Sequence, residues 1–149
     1  CSSDLIISVG GIDEIHIGLN DLSHSYGKKF LFEELADGTV DRLVERFKAH
    51  GIESYGFGGI ASLGGGLLPA EMILPEHYRL GSTCVILSRA FCDASKVGNI
   101  EEIRRIFDNG VGAIRDYEKK CAAMSERELA ENSAALKERV EEIVSNMQQ

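Results

Sequence analysis

The chain has 149 residues, 44% hydrophobic and 27% charged, with a net charge of −8 and a pI near 5.0. That length fits one domain. The acidic balance argues against non-specific binding to nucleic acid or anionic membranes, which need a basic surface.

No apolar run approaches the ~20 residues that span a bilayer; none, Cys84 to Leu87 included, exceeds four. No basic segment followed by an apolar stretch stands at the N-terminus, so no signal peptide is expected. The first residue is Cys1 rather than Met, which suggests a truncated or cleaved chain. The cysteines, Cys1, Cys84, Cys92 and Cys121, form no C-x-x-C pair and match no zinc template. Cys84, in an apolar run, reads as a buried reduced thiol, and this usage fits a reducing cytosol.

In chain order, residues 5–9 (Leu-Ile-Ile-Ser-Val) fit either a short strand or the last turns of a helix capped by Ser2 or Ser3. Gly10-Gly11 ends that run. Residues 13–18 form a strand with Ile15 and Ile17 on one face. Asn20-Asp21 follows Gly18 at once, and Ser23 to Lys29 reads as a polar loop. A short apolar segment, residues 30–36, comes next. Asp37-Gly38-Thr39 starts a helix over about 40–50, with Val40, Leu43, Val44 and Phe47 at helical spacing and Gly51 as its stop.

Residues 52–57 read as a short aromatic-rich strand, followed by glycines at 56, 58, 59 and 64–66. Pro69 can open a helix at its first position. Pro75 predicts two short pieces or a kink before Gly81. Residues 83–87 carry no charge and read as a buried strand. Asn99 with Glu102 caps a helix whose stripe is Ile100, Ile103, Ile106, Phe107, Val111, Ile114 and Tyr117. Gly110 and Gly112 either weaken it or admit a close neighbour. A second capping box, Ser125 with Glu128, opens a last helix with a narrow, near-heptad stripe: Leu129, Leu136, Val140, Ile143 and Met147. That stripe suits either a core edge or another chain. Strand–helix alternation at this spacing predicts an α/β fold with a parallel sheet.

In parallel α/β folds, function gathers at the carboxyl ends of strands. Three such ends are visible: Gly18-Leu19-Asn20-Asp21, Gly56 to Ala61, and Ser88-Arg89-Ala90. Asp21 suits a Mg²⁺ or Mn²⁺ ligand, since hard ions want oxygen donors held on a rigid element; it equally suits a simple turn cap. The glycine-rich end spells neither a dinucleotide fingerprint nor a P-loop. It could admit an anion to its backbone N–H groups or be a flexible loop. Arg89 could hold a carboxylate or phosphate, or be merely solvated. His16, between two isoleucines, reads as a core or interface histidine.

The segment Ile17-Gly18-Leu19-Asn20-Asp21-Leu22-Ser23, preceded by Gly11-Ile12-Asp13-Glu14, resembles the "VDxxxIGxxDLS" stretch of the HpcH/HpaI aldolase and citrate lyase family. Tyr-Gly-Phe-Gly-Gly-Ile-Ala at 55–61 and Leu-Gly-Ser-Thr-Cys-Val-Ile-Leu-Ser-Arg at 80–89 resemble that family's seventh and eighth strand regions, in the same order. The resemblance covers roughly residues 1–120. It implies the C-terminal part of a phosphoenolpyruvate/pyruvate-type (β/α)8 TIM barrel, about strands six to eight, plus C-terminal helices. It also turns residues 1–9 into the end of the fifth helix.

On this resemblance residues 1–122 are a partial barrel and 123–149 a C-terminal helix for packing or oligomerisation. The parent activity is a carbon–carbon lyase or aldolase acting on a pyruvate- or oxaloacetate-type oxo-acid through an enolate stabilised by Mg²⁺ or Mn²⁺. Asp21 corresponds to one of two carboxylate metal ligands, and Gly18, Asn20, Asp21 and Arg89 to substrate contacts. The other carboxylate and the catalytic arginine and histidine would precede residue 1. A barrel needs eight strands and about 250 residues, so the lone chain is expected to be an incomplete, inactive barrel with open edges. It would be a homo-oligomer or the partner of a missing half. The alternatives are a non-catalytic fragment or assembly module, and a phosphate-binding barrel of another reaction type.

Overall fold

The computed structural model describes residues 2–147, with side chains from Leu5 onward. Cys1 and the Ser2 or Ser3 cap therefore lie outside what is described. The element order is α1 (Ser2–Ser8), β1 (Glu14–Ile17), α2 (Leu19–Ser25), α3 (Glu33–Ala36), α4 (Thr39–Ala49), β2 (Ser54–Ile60), α5 (Ala70–Leu80), β3 (Cys84–Leu87), α6 (Ile100–Ala122) and α7 (Glu126–Asn146). Of the two local readings for residues 5–9, the helix holds as far as Ser8.

The strands form one parallel sheet in the order β1-β2-β3. Ile15 pairs with Tyr55 and Ile17 with Phe57; Gly56 pairs with Cys84, and the register shifts before Gly59 meets Ile86. Strand alternation divides the residues between two faces. One carries Tyr55, tilted against Phe47 of α4 at 5.8 Å, and Phe57, stacked on His77 of α5 at 3.9 Å. Both aromatics are buried, and the core gathers around them with Val40, Val44, Ile73 and Leu74. The other face carries Glu14, His16, Ser54, Gly56 and Cys84. It is held by polar contacts: the Ser54 hydroxyl donates to Glu14 (3.0 Å), and the Cys84 thiol lies 3.8 Å from Glu14 and 3.9 Å from His16 Nδ1.

Gly56 is required by this face. A Cβ there would collide with the Cys84 carbonyl and stand 2.5 Å from its Sγ. Cys84 is half-buried, so the buried-thiol reading is corrected. Burial raises its pKa, and the Glu14 carboxylate raises it further, which keeps it a thiol. β3 as a whole departs from the buried strand expected: it is half-buried, and Ile86 is 55% exposed. Its apolar sequence is real, but it pairs on one side only, at the sheet edge.

Residues 19–25 are helical, so the polar loop expected over Ser23–Lys29 is helix as far as Ser25. Leu19 and Ser23 turn inward one helical turn apart, and the Ser23 and Ser25 hydroxyls donate back to the carbonyls of Asn20 and Leu22. α5 is also one helix through Pro75, not two pieces. Proline cannot donate to the carbonyl of Glu71. The Tyr117 hydroxyl of α6 takes that carbonyl at 3.1 Å, and the Asn132 amide of α7 takes the next one, Met72, at 2.9 Å. The carbonyl that Pro75 leaves free is thus satisfied from α6.

α7 lies on α5 and α3 and buries Leu136, Val140 and Ile143, each worth about 1.5–3 kcal/mol of burial. A polar network anchors it. Glu76, fully buried, accepts from Arg79 (2.8 Å), Asn132 (3.2 Å) and Ser133 (3.2 Å), while Arg79 also reaches Asp41. Burial would lower the Arg79 pKa, but the bonds to Asp41 and Glu76 outweigh it and hold it above its ordinary value. The Ser125–Glu128 capping box opens α7, and Asn99 caps α6 by accepting from the Glu102 N–H. Gly110 does admit a close neighbour: a Cβ there would lie 2.6 Å from the ring of Phe91.

Candidate functional site

The carboxyl ends of the three strands surround an open cavity of about 460 Å³. β1 leads into it through Gly18 and, in the first turn of α2, Asn20. β2 contributes Gly58 and Gly59, and the segment after β3 contributes Ser88 and Arg89. Phe30, Leu31 and Phe32 form an apolar wall. The backbone here is built for close approach. Gly58 has φ of +59°, in the left-handed region, and a Cβ on it would stand 2.8 Å from Leu19. Any other residue type would be strained at that φ and would have to shift the Leu19 side chain.

Of the residues singled out in sequence, Gly18, Asn20 and Arg89 meet at this cavity. Arg89 is exposed, so its guanidinium can swing to a carboxylate or phosphate. Asp21 is not among the lining residues. It sits exposed in the first turn of α2, with its Oδ2 folded back toward Gly18, 3.4 Å from where a Cβ would be. It belongs to the rim.

His16, which reads from the sequence as a core or interface histidine, also lines the cavity. Its Nε2–H donates to the Gly58 carbonyl at 3.0 Å, since a carbonyl can only accept, and its Nδ1 faces Cys84 at 3.9 Å. Strand alternation was the available signal, since position 16 shares a face with position 18. Among the described residues, His16 and Arg89 are the titratable groups that line the cavity. His77 is nearby in the core, on the opposite side of β2. Burial and then the charge of His16 push its pKa down to about 3, so it is neutral, with Nδ1 on the Ser82 hydroxyl at 2.8 Å.

A hard divalent ion takes about six oxygen ligands and is often held by one or two carboxylates. Among the described residues no three His, Cys, Asp or Glu side chains are grouped to hold a metal ion. The donor set fits only a share of such a site: Asp21 is one free carboxylate at the rim, and further ligands would have to come from elsewhere.

In chemical terms the cavity offers a flexible cation at Arg89, an amide at Asn20, a hydroxyl at Ser88 and glycine backbone that admits a small ligand. Its apolar wall would exclude water from one side. That suits a small anion better than a large or cationic ligand. No family model, curated protein or solved structure matches the chain.

Proposed function

We propose that the chain is part of a divalent-metal-dependent carbon–carbon lyase or aldolase acting on a pyruvate- or oxaloacetate-type oxo-acid. The observation that carries this reading is the convergence of Gly18, Asn20 and Arg89 on one cavity at the carboxyl ends of three parallel strands taken in sequence order. Sequential parallel order with function at that end is the pattern of barrel enzymes. The open edges of β1 and β3 support a barrel segment, strands six to eight, completed by a missing half or by other copies.

In this reading Arg89 binds the carboxylate of the oxo-acid and Asn20 orients it. Gly18 and Gly58 let the substrate approach the backbone. The Phe30–Phe32 wall keeps water from the reacting carbon. Asp21 holds a Mg²⁺ or Mn²⁺ ion, which, when bound, offsets negative charge developing on the keto oxygen. The second metal carboxylate and the acid–base groups come from outside these residues, so the chain alone is inactive. Its cysteine usage fits a reducing cytosol.

A second reading, a non-catalytic assembly module, is favoured by the position of Asp21 outside the cavity lining. Exchange of pyruvate methyl protons with solvent deuterium, with Mg²⁺ or Mn²⁺ present, separates the two. The lyase reading expects exchange in a version extended N-terminally by the missing strands, and none in the chain alone. No exchange in either refutes it.

A further inference from the structure

The segment that walls the cavity carries a buried acid with nothing to bind. Glu34 lies in α3, fully buried, and neither of its carboxyl oxygens has a hydrogen-bond partner. Its neighbours are committed elsewhere. Glu33 accepts the N–H groups of Lys29 and Phe30, both at 2.8 Å. Lys28, the adjacent cation, pairs with Asp37 at 3.0 Å and with Glu33 at 4.0 Å.

The three helices packed on α3 are α2, α4 and α7. From α7, Lys137 and Glu141 stand at a shallow groove with Lys28, Glu33 and Asp37. From α4, Asp41 is bound to Arg79 and Arg42 to Thr39. From α2 comes His24, in its last turn. None of these bonds to Glu34.

An ionised carboxylate in such a place costs several kcal/mol, and the neutral acid far less. Two residues before it, the same segment places Phe30, Leu31 and Phe32 in the cavity wall. We propose that Glu34 is a pH-sensitive latch: protonated, it stays inside and seats the segment 28–37 against α7 and the cavity; ionised, it leaves the interior and the cavity wall opens.

The direction of the effect follows from linkage. Burial, the largest influence, raises the Glu34 pKa above its ordinary 4.5; the charges of Asp37 and Glu33 push the same way, and the α3 backbone and Lys28 oppose. The folded state therefore holds the proton longer than the unfolded chain. The stability of the closed form is full below pH 4.5 and declines as pH rises through the raised folded value. The latch is independent of the chemistry proposed above.

The test compares the chain with Glu34→Gln, and with Glu34→Met should the amide fail to fold. Hydrogen-exchange protection of residues 28–37 and urea stability are measured from about pH 4.5 to about pH 8. The latch predicts that protection of 28–37 falls by about tenfold or more across this range, while the amides of β2 hold theirs, and that both variants abolish the fall. Equal pH dependence in wild type and variants overturns it, as does unchanged protection of 28–37 in the wild type.

Discussion

Replacing Tyr117 with Phe removes one hydroxyl, and the structure says what that hydroxyl is for. It donates to the Glu71 carbonyl at 3.1 Å, a group that Pro75 leaves without a helix donor. An ordinary hydrogen bond is worth about 0.5–1.5 kcal/mol net, and a buried acceptor left bare costs about 1–3 kcal/mol. Tyr117 is half-buried, so the expected loss is about 1–2 kcal/mol. The reasoning is sharper in a second background. Pro75→Ala restores an N–H in position to bond Glu71. There the Tyr117 hydroxyl becomes redundant, and Tyr117→Phe should cost only a few tenths of a kcal/mol. The coupling energy of the double-mutant cycle is then about 1 kcal/mol. Urea denaturation of the four proteins, with unchanged m-values, gives the cycle. An equal cost of Tyr117→Phe in both backgrounds would refute the account of how α5 stays continuous through proline.

Gly56→Ala should destabilise by about 3 kcal/mol or more, because the new methyl meets backbone as well as sulfur. Adding Cys84→Ala should not rescue it, since the Cys84 carbonyl remains; recovery of the thermal midpoint would show that the side chain alone sets the requirement. Glu76→Ala removes the acceptor shared by Arg79, Asn132 and Ser133 and should cost about 3 kcal/mol, the low end for a broken buried pair, because Arg79 keeps Asp41. Chemical denaturation reads that loss, and a cost under about 1 kcal/mol would mean the network is not what anchors α7. Asp21→Asn, on an exposed position, should leave stability within about 0.5 kcal/mol while weakening Mg²⁺ binding in the N-terminally extended protein, as measured by calorimetry; undiminished binding would remove Asp21 from the metal site.

What was legible in the sequence is what depends on neighbours along the chain. The 13–18 strand, the Ser125–Glu128 box and the stop at Gly81 need only local patterns, and all stand in the structure. What was not legible depends on distant partners. Pro75 reads as a break or a kink because the group that takes its free carbonyl, Tyr117, lies far along the chain. β3 reads as buried because its composition is apolar, yet Ile86 points from the sheet into the open cavity and is exposed there. Residues 19–25 hid a helix because Ser23, His24 and Ser25 look like loop residues, while the inward side of Ser23 appears only once α2 docks.

The site divides the same way. Gly18, Asn20 and Arg89 were readable from strand ends, and the cavity joins them. Asp21 was readable as a ligand type but not as a rim residue, because one helical turn in α2 decides where its carboxylate points. His16 read as a core or interface histidine; strand alternation put it on the face of Gly18, and in the structure its Nε2–H holds the carbonyl of Gly58, where the backbone bends.

The most direct measurement is the pyruvate exchange assay with Mg²⁺, run on an N-terminally extended barrel with native Arg89 and with Arg89→Ala. The account predicts metal-dependent loss of methyl protons in the first and a fall of about 100-fold or more in the second, with the chain alone silent. Exchange that is absent in the extended barrel, or undiminished without Arg89, would contradict the placement of an oxo-acid site at these strand ends.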